Sequence, residues 1–275
     1  MTIDTSSCRR VCLLTRHAKA PAIAPALAAI GQTLETIDRF DTDTLGTFSG
    51  EIERQGSMRD AALAKARLAC ELGGSRYGLG SEGAFGGDPF LGVSGWGREL
   101  LVWWDAEVGY AVEGFVQGPE TNWRTAEVVD LDAARHFLAE VGLPGHGVIV
   151  GRPGEPWFDK TCDDADTVLM RVREGLAAGP VMLQTDMRAH RNPTRLAMIA
   201  RAASALASRL STPCPACAAP GFGPAEAIAG APCEACGMPT RVPRAERWCC
   251  PRCAHRDERP LALQATADSC DRCNP

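Results

Sequence analysis

Residues 11–37 read VCLLTRHAKAPAIAPALAAIGQTLETI, and the fold class turns on them. VCLLT (11–15) is an apolar run of strand length that ends in a charged stretch. APAIAPALAAI (20–30) is helix-like after Pro21. Pro25 cannot donate to the helical ladder, which limits the segment to a short or kinked helix. TLETI (33–37) alternates apolar and polar residues with the period of a half-buried strand. Strand, helix and strand in succession predict an α/β fold.

The same alternation continues downstream. Ser57 and Asp60 form an S-x-x-D capping box at the head of AALAKARLACEL, which predicts a helix. YGLGSEG (77–83) reads as a strand running into a turn. ELLVWWD (99–105), AEVG and YAVEGFV (110–116) read as a β-hairpin. AEVVD (126–130) is a further strand, LDAARHFLAEVG (131–142) a helix ending at glycine, and GVIVG (147–151) a strand. ADTVLMRVREGLAAG (165–179) is a helix with Gly179 as its expected C-cap. VMLQTD (181–186) is a strand, and Asn192–Pro193 starts a helix with Asn as N-cap and Pro at the first position. Leu196, Ile199, Ala203, Leu206 and Leu210 mark that helix's apolar face. The expectation is an α/β domain over residues 8–211, with a mixed sheet flanked by helices.

Bulk properties exclude several classes. With 45 % hydrophobic and 23 % charged residues, the chain is ordinary for a soluble globular protein and has enough apolar material for a sizeable core. A formal net charge of -5 provides no global basic field for nucleic acid or an anionic membrane. No apolar run approaches the ~18 residues of a membrane span. The N-terminal MTIDTSSCRRVCLLTRH has too short an apolar core for a signal peptide, so the expected location is the cytoplasm.

Thirteen cysteines are unevenly spread: Cys8, Cys12, Cys70 and Cys162 stand singly, and nine crowd into the residues from 214 onward. There they make four C-x-x-C pairs: Cys214/Cys217, Cys233/Cys236, Cys250/Cys253 and Cys270/Cys273. A C-x-x-C turn offers two thiolates to one tetrahedral ion, and two pairs complete a Cys₄ site, so four pairs predict two structural zinc ions. Consecutive pairing, first with second and third with fourth, is favoured because Gly237 and Pro239 close a module after the second pair. Cross-braced pairing, first with third and second with fourth, is the alternative. Cys249 is left over, the spacing to Cys253 prefers Cys250 as the ligand, and His255 is a lesser candidate. Residues 212–275 thus read as a double zinc-ribbon domain. This tail holds seven Arg, no Lys and seven acidic residues, a balance of zero that argues against a strong electrostatic footprint. The local cluster Arg241, Arg244, Arg247, Arg252, Arg256 and Arg259 keeps a protein or RNA contact open.

Four segments outside the tail carry more polar function than a core requires. In TRHAK, Arg16, His17 and Lys19 follow the first strand, where α/β sheets bind ligands, and suit an anion such as phosphate. DTDTLGTFSGE (41–51) is a polar loop in which Glu51 is the favoured metal-binding carboxylate; Asp41 and Asp43 read as turn formers. GSEGAFGGDP brings Ser81 and Glu82 among glycines, where a carboxylate can hold Mg²⁺ or act as a base. QTDMRAHRNPTR (184–195) places Asp186, Arg188, His190 and Arg191 before a helix N-terminus, which attracts anions. Lys65 falls on the same helical face as Ala61, Leu68 and Leu72, so it must either snorkel to solvent, the favoured outcome, or meet an anion.

Together TRHAKAPAIAPAL, DTDTLGTFSGEIERQGS, GLGSEGAFG, QTDMRAHRNPTR and the terminal CDRCNP resemble a bacterial family described only as a domain of unknown function. A second resemblance is to the inosine triphosphate pyrophosphatase and Maf-like group, which hydrolyse non-standard nucleoside triphosphates with Mg²⁺. It rests on Thr15 and Lys19, on Glu51, on Ala62, Lys65 and Ala66, and on Glu82. His17 stands where that group usually has Asn, the lysine of the first motif comes one residue early, and one carboxylate stands where a pair is frequent. What this resemblance implies is acidic residues for metal and lysines for phosphate. The resulting expectation is a Mg²⁺-dependent hydrolase of a phosphorylated small molecule, a nucleotide, with Glu82, Glu51 and Lys65 as catalytic residues. The alternative is a non-enzymatic zinc-ribbon adaptor that binds protein or nucleic acid and senses a ligand through its α/β domain.

Overall fold

The computed structural model describes residues 9–15, 18–38, 56–154 and 158–275. The chain divides into two compact units, Met1–Gly109 with Glu113–Ala207, and Tyr110–Val112 with Ser208–Pro275.

The first unit begins as residues 11–37 foretell. β1 (Arg9–Leu14) is buried from Val11 to Leu14, as a central strand must be. α1 (Ala20–Ala28) is short, carries Pro25 inside it and buries Ile23 and Leu27. β2 (Gln32–Ile37) returns parallel to β1, in register from Arg9↔Gln32 to Leu14↔Ile37. α2 (Met58–Gly73) starts at the expected capping box: the Asp60 N–H donates to Ser57 Oγ, and the Ser57 N–H to Asp60 Oδ2, both at 3.1 Å. Its small residues Ala62 and Ala66 allow its backbone to press on β3 (Tyr77–Gly87). A Cβ at Gly78 or Gly80 would overlap the carbonyl oxygens of Ala66 and Ala62.

β4 (Gly95–Asp105) and β5 (Tyr110–Gly118) form the expected hairpin arms and complete a mixed five-stranded sheet of order β2-β1-β3-β4-β5. One expectation is corrected here. SEGAFGG is not a turn after the strand; β3 continues through it and pairs with β4 from Tyr77↔Asp105 to Gly87↔Gly95. Its glycines mark close approaches of other groups rather than chain reversal.

β6 (Thr125–Val128), β7 (Val148–Gly151), β8 (Phe158–Asp159) and β9 (Val181–Thr185) do not extend that sheet. They form a second one, of order β6-β9-β7-β8 with every pair antiparallel. These short strands close their own core against α3 (Leu131–Val141) and α4 (Ala165–Leu176), built around Val128, Phe137, Leu138, Val150, Val168 and Leu183. α3 ends at Gly142 in the left-handed conformation, as expected. α4 instead ends before Gly179, with Ala177 as its C-cap. Its end tightens into i→i+3 bonds, from the Ala178 N–H to Gly175 O and from the Gly179 N–H to Leu176 O. α5 (Pro193–Leu210) is capped by Asn192, whose Oδ1 accepts from the Arg195 N–H at 2.9 Å, and buries Ile199, Ala203, Leu206 and Leu210.

The second unit holds a three-stranded antiparallel sheet of β10 (Gly223–Ala229), β11 (Pro243–Cys249) and β12 (Arg256–Pro260). Among the described residues, no helix is long and apolar enough to cross a membrane.

Candidate functional site

β1 accompanies β3 only as far as Leu13↔Leu79, so from Gly80 onward the edge of β3 on that side has lost β1 as its partner. The chain leaving β1 turns there. Ala18 takes a left-handed backbone, φ 48°, a conformation that L-residues adopt only under local constraint. Lys19 follows and is buried. Its Nζ donates to Ser81 O at 3.1 Å and lies 3.2 Å from Ser81 Oγ. Burial first, and the Arg195 charge second, push its pKa down to about 8, against the opposing pull of Glu99 and Glu82.

Two more charged pairs flank this point, one on each face of the sheet. Alternate residues of β3 face α2, which places Glu82 beside Lys65, and the two form a buried ion pair. Lys65 thus meets an anion, and the favoured expectation that it snorkels to solvent is overturned. On the opposite face, Gly83 lies across from Glu99 of β4. Glu99 is 1 % exposed and accepts from Arg195 Nε at 2.7 Å. Arg195 also donates to Met187 O. A Cβ at Gly83 would collide with both Glu99 and Arg195, so the pair needs glycine there. Glu99 Oε2 is buried without a hydrogen-bond partner among the described residues. Buried charges are tolerated only when paired. Among the described residues, Lys19, Lys65 and Arg195 face Glu82 and Glu99, which leaves one positive charge in excess. An anion is the ligand such a balance suits.

Of the residues singled out in the sequence, Lys19, Ser81, Lys65 and Glu82 are brought together. Asp186, Arg188 and Arg191 are engaged elsewhere. Asp186, 1 % exposed, is gripped by Arg188 through Nε at 3.1 and 3.0 Å and through a terminal nitrogen at 2.7 Å. Arg188 also donates to Lys160 O at 2.8 Å, and Arg191 to Cys162 O at 3.0 Å. The trio therefore staples the β9–α5 link to the segment before α4. His190 lies exposed on the single 3₁₀ turn Ala189–Arg191. Arg16, His17 and Glu51, with the whole of residues 41–51, lie outside the described residues.

Glu99 and Arg195 went unremarked in the sequence, although both left a signal. Glu99 is in phase with the buried Leu101 and Trp103 of β4, and Arg195 is in helical phase with Met198, Ala202 and Leu206. A charge in phase with a buried stripe requires a partner.

The second unit gathers the cysteines into two tetrads, Cys214, Cys217, Cys250 and Cys253, and Cys233, Cys236, Cys270 and Cys273. The first C-x-x-C pair therefore joins the third and the second joins the fourth, and the favoured consecutive pairing is overturned. Strand register explains why. Antiparallel β10 and β11 place Gly223 beside Cys249, which brings the pair before β10 to the pair after β11. β12, antiparallel to β11, places Pro260 beside Ala245 and so returns the chain toward the pair between β10 and β11. Cys249 closes the β11 ladder, while Cys250 joins the tetrad. Zinc–sulfur bonds of about 2.3 Å at tetrahedral angles separate sulfurs by about 3.8 Å. The sulfur separations here are 3.8 Å for Cys214–Cys253, 3.7 Å for Cys217–Cys250, 4.0 Å for Cys233–Cys273 and 3.6 Å for Cys236–Cys270. Both tetrads have the donors and spacing to bind zinc. Backbone N–H groups of Cys273 and Arg272 push the Cys270 thiol down to about 7, whereas burial pushes the Cys250 thiol up to about 12.

A family model described as a domain of unknown function, DUF6671, matches residues 65–275. The chain belongs to the DUF6671 family. No curated protein and no solved structure matches it. The DUF6671 span takes in Lys65, Glu82, Glu99, Arg195 and both tetrads, and begins after Lys19. In this DUF6671 chain the tail's arginines are largely neutralised: Arg244 faces Glu258 at 3.0 Å, Arg259 faces Asp257 at 3.3 Å, Arg241 faces Asp271 at 3.6 Å, and Arg247 pairs with Glu226.

Proposed function

We propose that the first unit hydrolyses a phosphorylated small molecule, a nucleotide, with Mg²⁺, and that the second unit is a structural domain folded on two zinc ions. The observation that carries the hydrolase reading is the convergence of Lys19, Lys65 and Glu82, from three separate segments, where β3 runs past the end of β1. Carboxyl ends of parallel strands are where α/β sheets bind ligands. Lys19 and Lys65 would neutralise phosphate charge. Glu82, released from Lys65 by the incoming phosphate, would hold the metal or take a proton from water. The resemblance of the Lys19, Lys65 and Glu82 segments to the inosine triphosphate pyrophosphatase group points the same way.

A metal-dependent turnover screen over nucleoside triphosphates and phosphate esters tests this reading. Glu82→Gln is expected to lower turnover at least a hundredfold with an unchanged circular dichroism spectrum. Full turnover in that variant removes Glu82 from the mechanism. A second reading draws on another observation: Lys65 and Arg195 already have carboxylate partners, so the cluster can hold an anion without any reaction. On that reading the chain is a ligand-sensing adaptor, and the screen finds binding without turnover. For the tail, paired arginines favour protein contact over RNA.

A further inference from the structure

The face of β3 that carries Glu82 continues past it. Glu82, Ala84 and Gly86 alternate onto that face, and their partners across the ladder are Leu100, Arg98 and Trp96. Ala84, Gly86, Trp96 and Arg98 line a cleft of about 100 Å³, together with Phe85 and Gly87. Its floor has almost no side chain. A Cβ built at Gly86 meets nothing within 4 Å among the described residues. Trp96 forms one wall and is held edge-on by Phe90, with ring centroids 6.0 Å apart. Phe90 is fixed in turn by Asp88, whose carboxylate accepts from the backbone N–H groups of Phe90, Leu91, Val93 and Ser94.

Two groups in this cleft lack partners. The Trp96 indole N–H is shut off from solvent and has no acceptor among the described residues. Arg98 is exposed, and among the described residues no carboxylate faces it. An aromatic wall, a planar guanidinium and a bare floor together fit a flat ring that carries acceptor atoms. Four residues of strand, about 13 Å, separate Glu82 from Gly86, a span suited to a ring and a polyphosphate chain in one ligand.

We infer that this cleft binds a heteroaromatic ring of the nucleobase class, seated over Ala84 and Gly86 against Trp96 and Arg98, while its phosphates reach Lys19, Lys65 and Glu82. The inference rests on the phosphate reading above and assigns the ring its own residues. The test is calorimetric titration of the full zinc-loaded chain, with Mg²⁺, using ATP, GTP, CTP and UTP, and tripolyphosphate as the probe without a ring. At least one nucleotide is expected to bind tenfold or more tightly than tripolyphosphate. Gly86→Leu places a side chain in the cleft at a position without positive φ, and Arg98→Ala removes a side chain with no described ion pair, so both are expected to fold normally. Each should erase most of the nucleotide's advantage and leave tripolyphosphate affinity within twofold. Equal affinity for nucleotide and tripolyphosphate in the parent chain, or nucleotide affinity unchanged in both variants, overturns the ring inference and leaves the phosphate reading standing. If tripolyphosphate does not bind, the phosphate reading falls. The cleft is then judged with free nucleosides at millimolar concentration, by the Trp96 indole N–H resonance assigned through Trp96→Phe. A shift that disappears in Gly86→Leu supports the ring site, and no shift with any nucleoside overturns it.

Discussion

The charged cluster and the cysteine tetrads both draw their residues from segments far apart in sequence, but they stand in opposite relation to the fold. Lys19, Lys65, Glu82, Glu99 and Arg195 hang on a sheet that exists without them: β1, β3 and β4 bury Val11, Leu13, Leu79, Leu101 and Trp103 completely or nearly so. The core fixes the backbone, and the charges must then find partners. In the second unit the order is reversed. Its large buried side chains are few, Tyr110, Val112, Leu210 and Phe222, the rest being small residues such as Ala219, Ala231, Ala245 and Ala265, and the cluster that holds Phe222 includes Cys214 and Cys250 themselves. Such a core cannot offset the ordering entropy of its chain. On the proposed reading, one unit has a site because it folds, and the other folds because it binds metal.

Metal removal is the hardest test of that contrast and carries the largest expected effect. Structural zinc in small domains contributes about 10–16 kcal/mol of apparent binding free energy at neutral pH. Elemental analysis should find two zinc ions per chain. Stripping them should abolish the near-ultraviolet signal of Trp248, which packs on Phe222 at 5.6 Å between ring centroids, while the first unit's cooperative unfolding survives. A metal-free chain that keeps the Trp248 signal would erase the distinction between the two units.

The next largest effect belongs to Glu99 and Arg195. Arg195→Met leaves Glu99 buried and uncompensated, and breaking a buried pair in this way costs about 3–5 kcal/mol. Replacing both partners, Arg195→Met with Glu99→Leu, should restore most of that loss in urea unfolding, because the surrounding core does not need the charge. If the double variant is no more stable than the single one, these charges organise the fold as the cysteines do.

This contrast also explains what could be read from the sequence. Capping boxes, helix starts and C-x-x-C spacing are local, so Ser57/Asp60, Asn192/Pro193 and the eight cysteines of the tetrads could be picked out residue by residue. Tertiary register is not local. Whether Cys217 meets Cys233 or Cys250 depends on which strands pair, and short apolar runs such as VMLQTD fit either a central strand or a second sheet. The glycines of SEGAFGG suggested a turn because glycine serves turns and close approaches equally. Only the positions of α2 and Arg195 decide between the two. Lys65 and Glu82 were legible as charges in unusual places, but not as partners of each other.

Lys19 gives a smaller effect that reads the cluster by pH. Its folded pKa of about 8 lies below the ordinary value of 10.5, so the unfolded chain binds the proton more tightly. The penalty for burying the charged form is fully present below pH 8. It is relieved as pH rises from about 8 toward 10.5, which raises stability by up to about 1.4 kcal/mol per unit. The difference in unfolding free energy between the parent chain and Lys19→Met should therefore shift in the parent's favour across that window. Anion binding should move the opposite way and weaken as Lys19 loses its charge. A difference that stays flat from pH 7 to 10 would mean that Lys19 is solvated.

The smallest effect compares the two tetrads with each other. Each first knuckle places the residue after its second cysteine in the left-handed region: Ala218 at φ 58° and Gly237 at φ 71°. The hydrogen bonds that demand this are alike, since the Ala218 N–H donates to Cys214 O at 2.9 Å and the Gly237 N–H to Cys233 O at 2.8 Å. An L-residue there carries roughly 1–2 kcal/mol of strain, from which glycine's greater unfolded entropy recovers about 0.4–1 kcal/mol. Ala218→Gly should therefore tighten zinc at the first tetrad by a few tenths to about 1 kcal/mol, up to about fivefold in a chelator competition. Gly237→Ala should weaken the second tetrad by a similar factor, because a Cβ there meets nothing within 4 Å and only the backbone resists it. Opposite signs of similar size would show that the two knuckles share one backbone design, written with glycine in one and with strain in the other. If Ala218→Gly weakens zinc binding, the alanine methyl makes a contact that outweighs its strain.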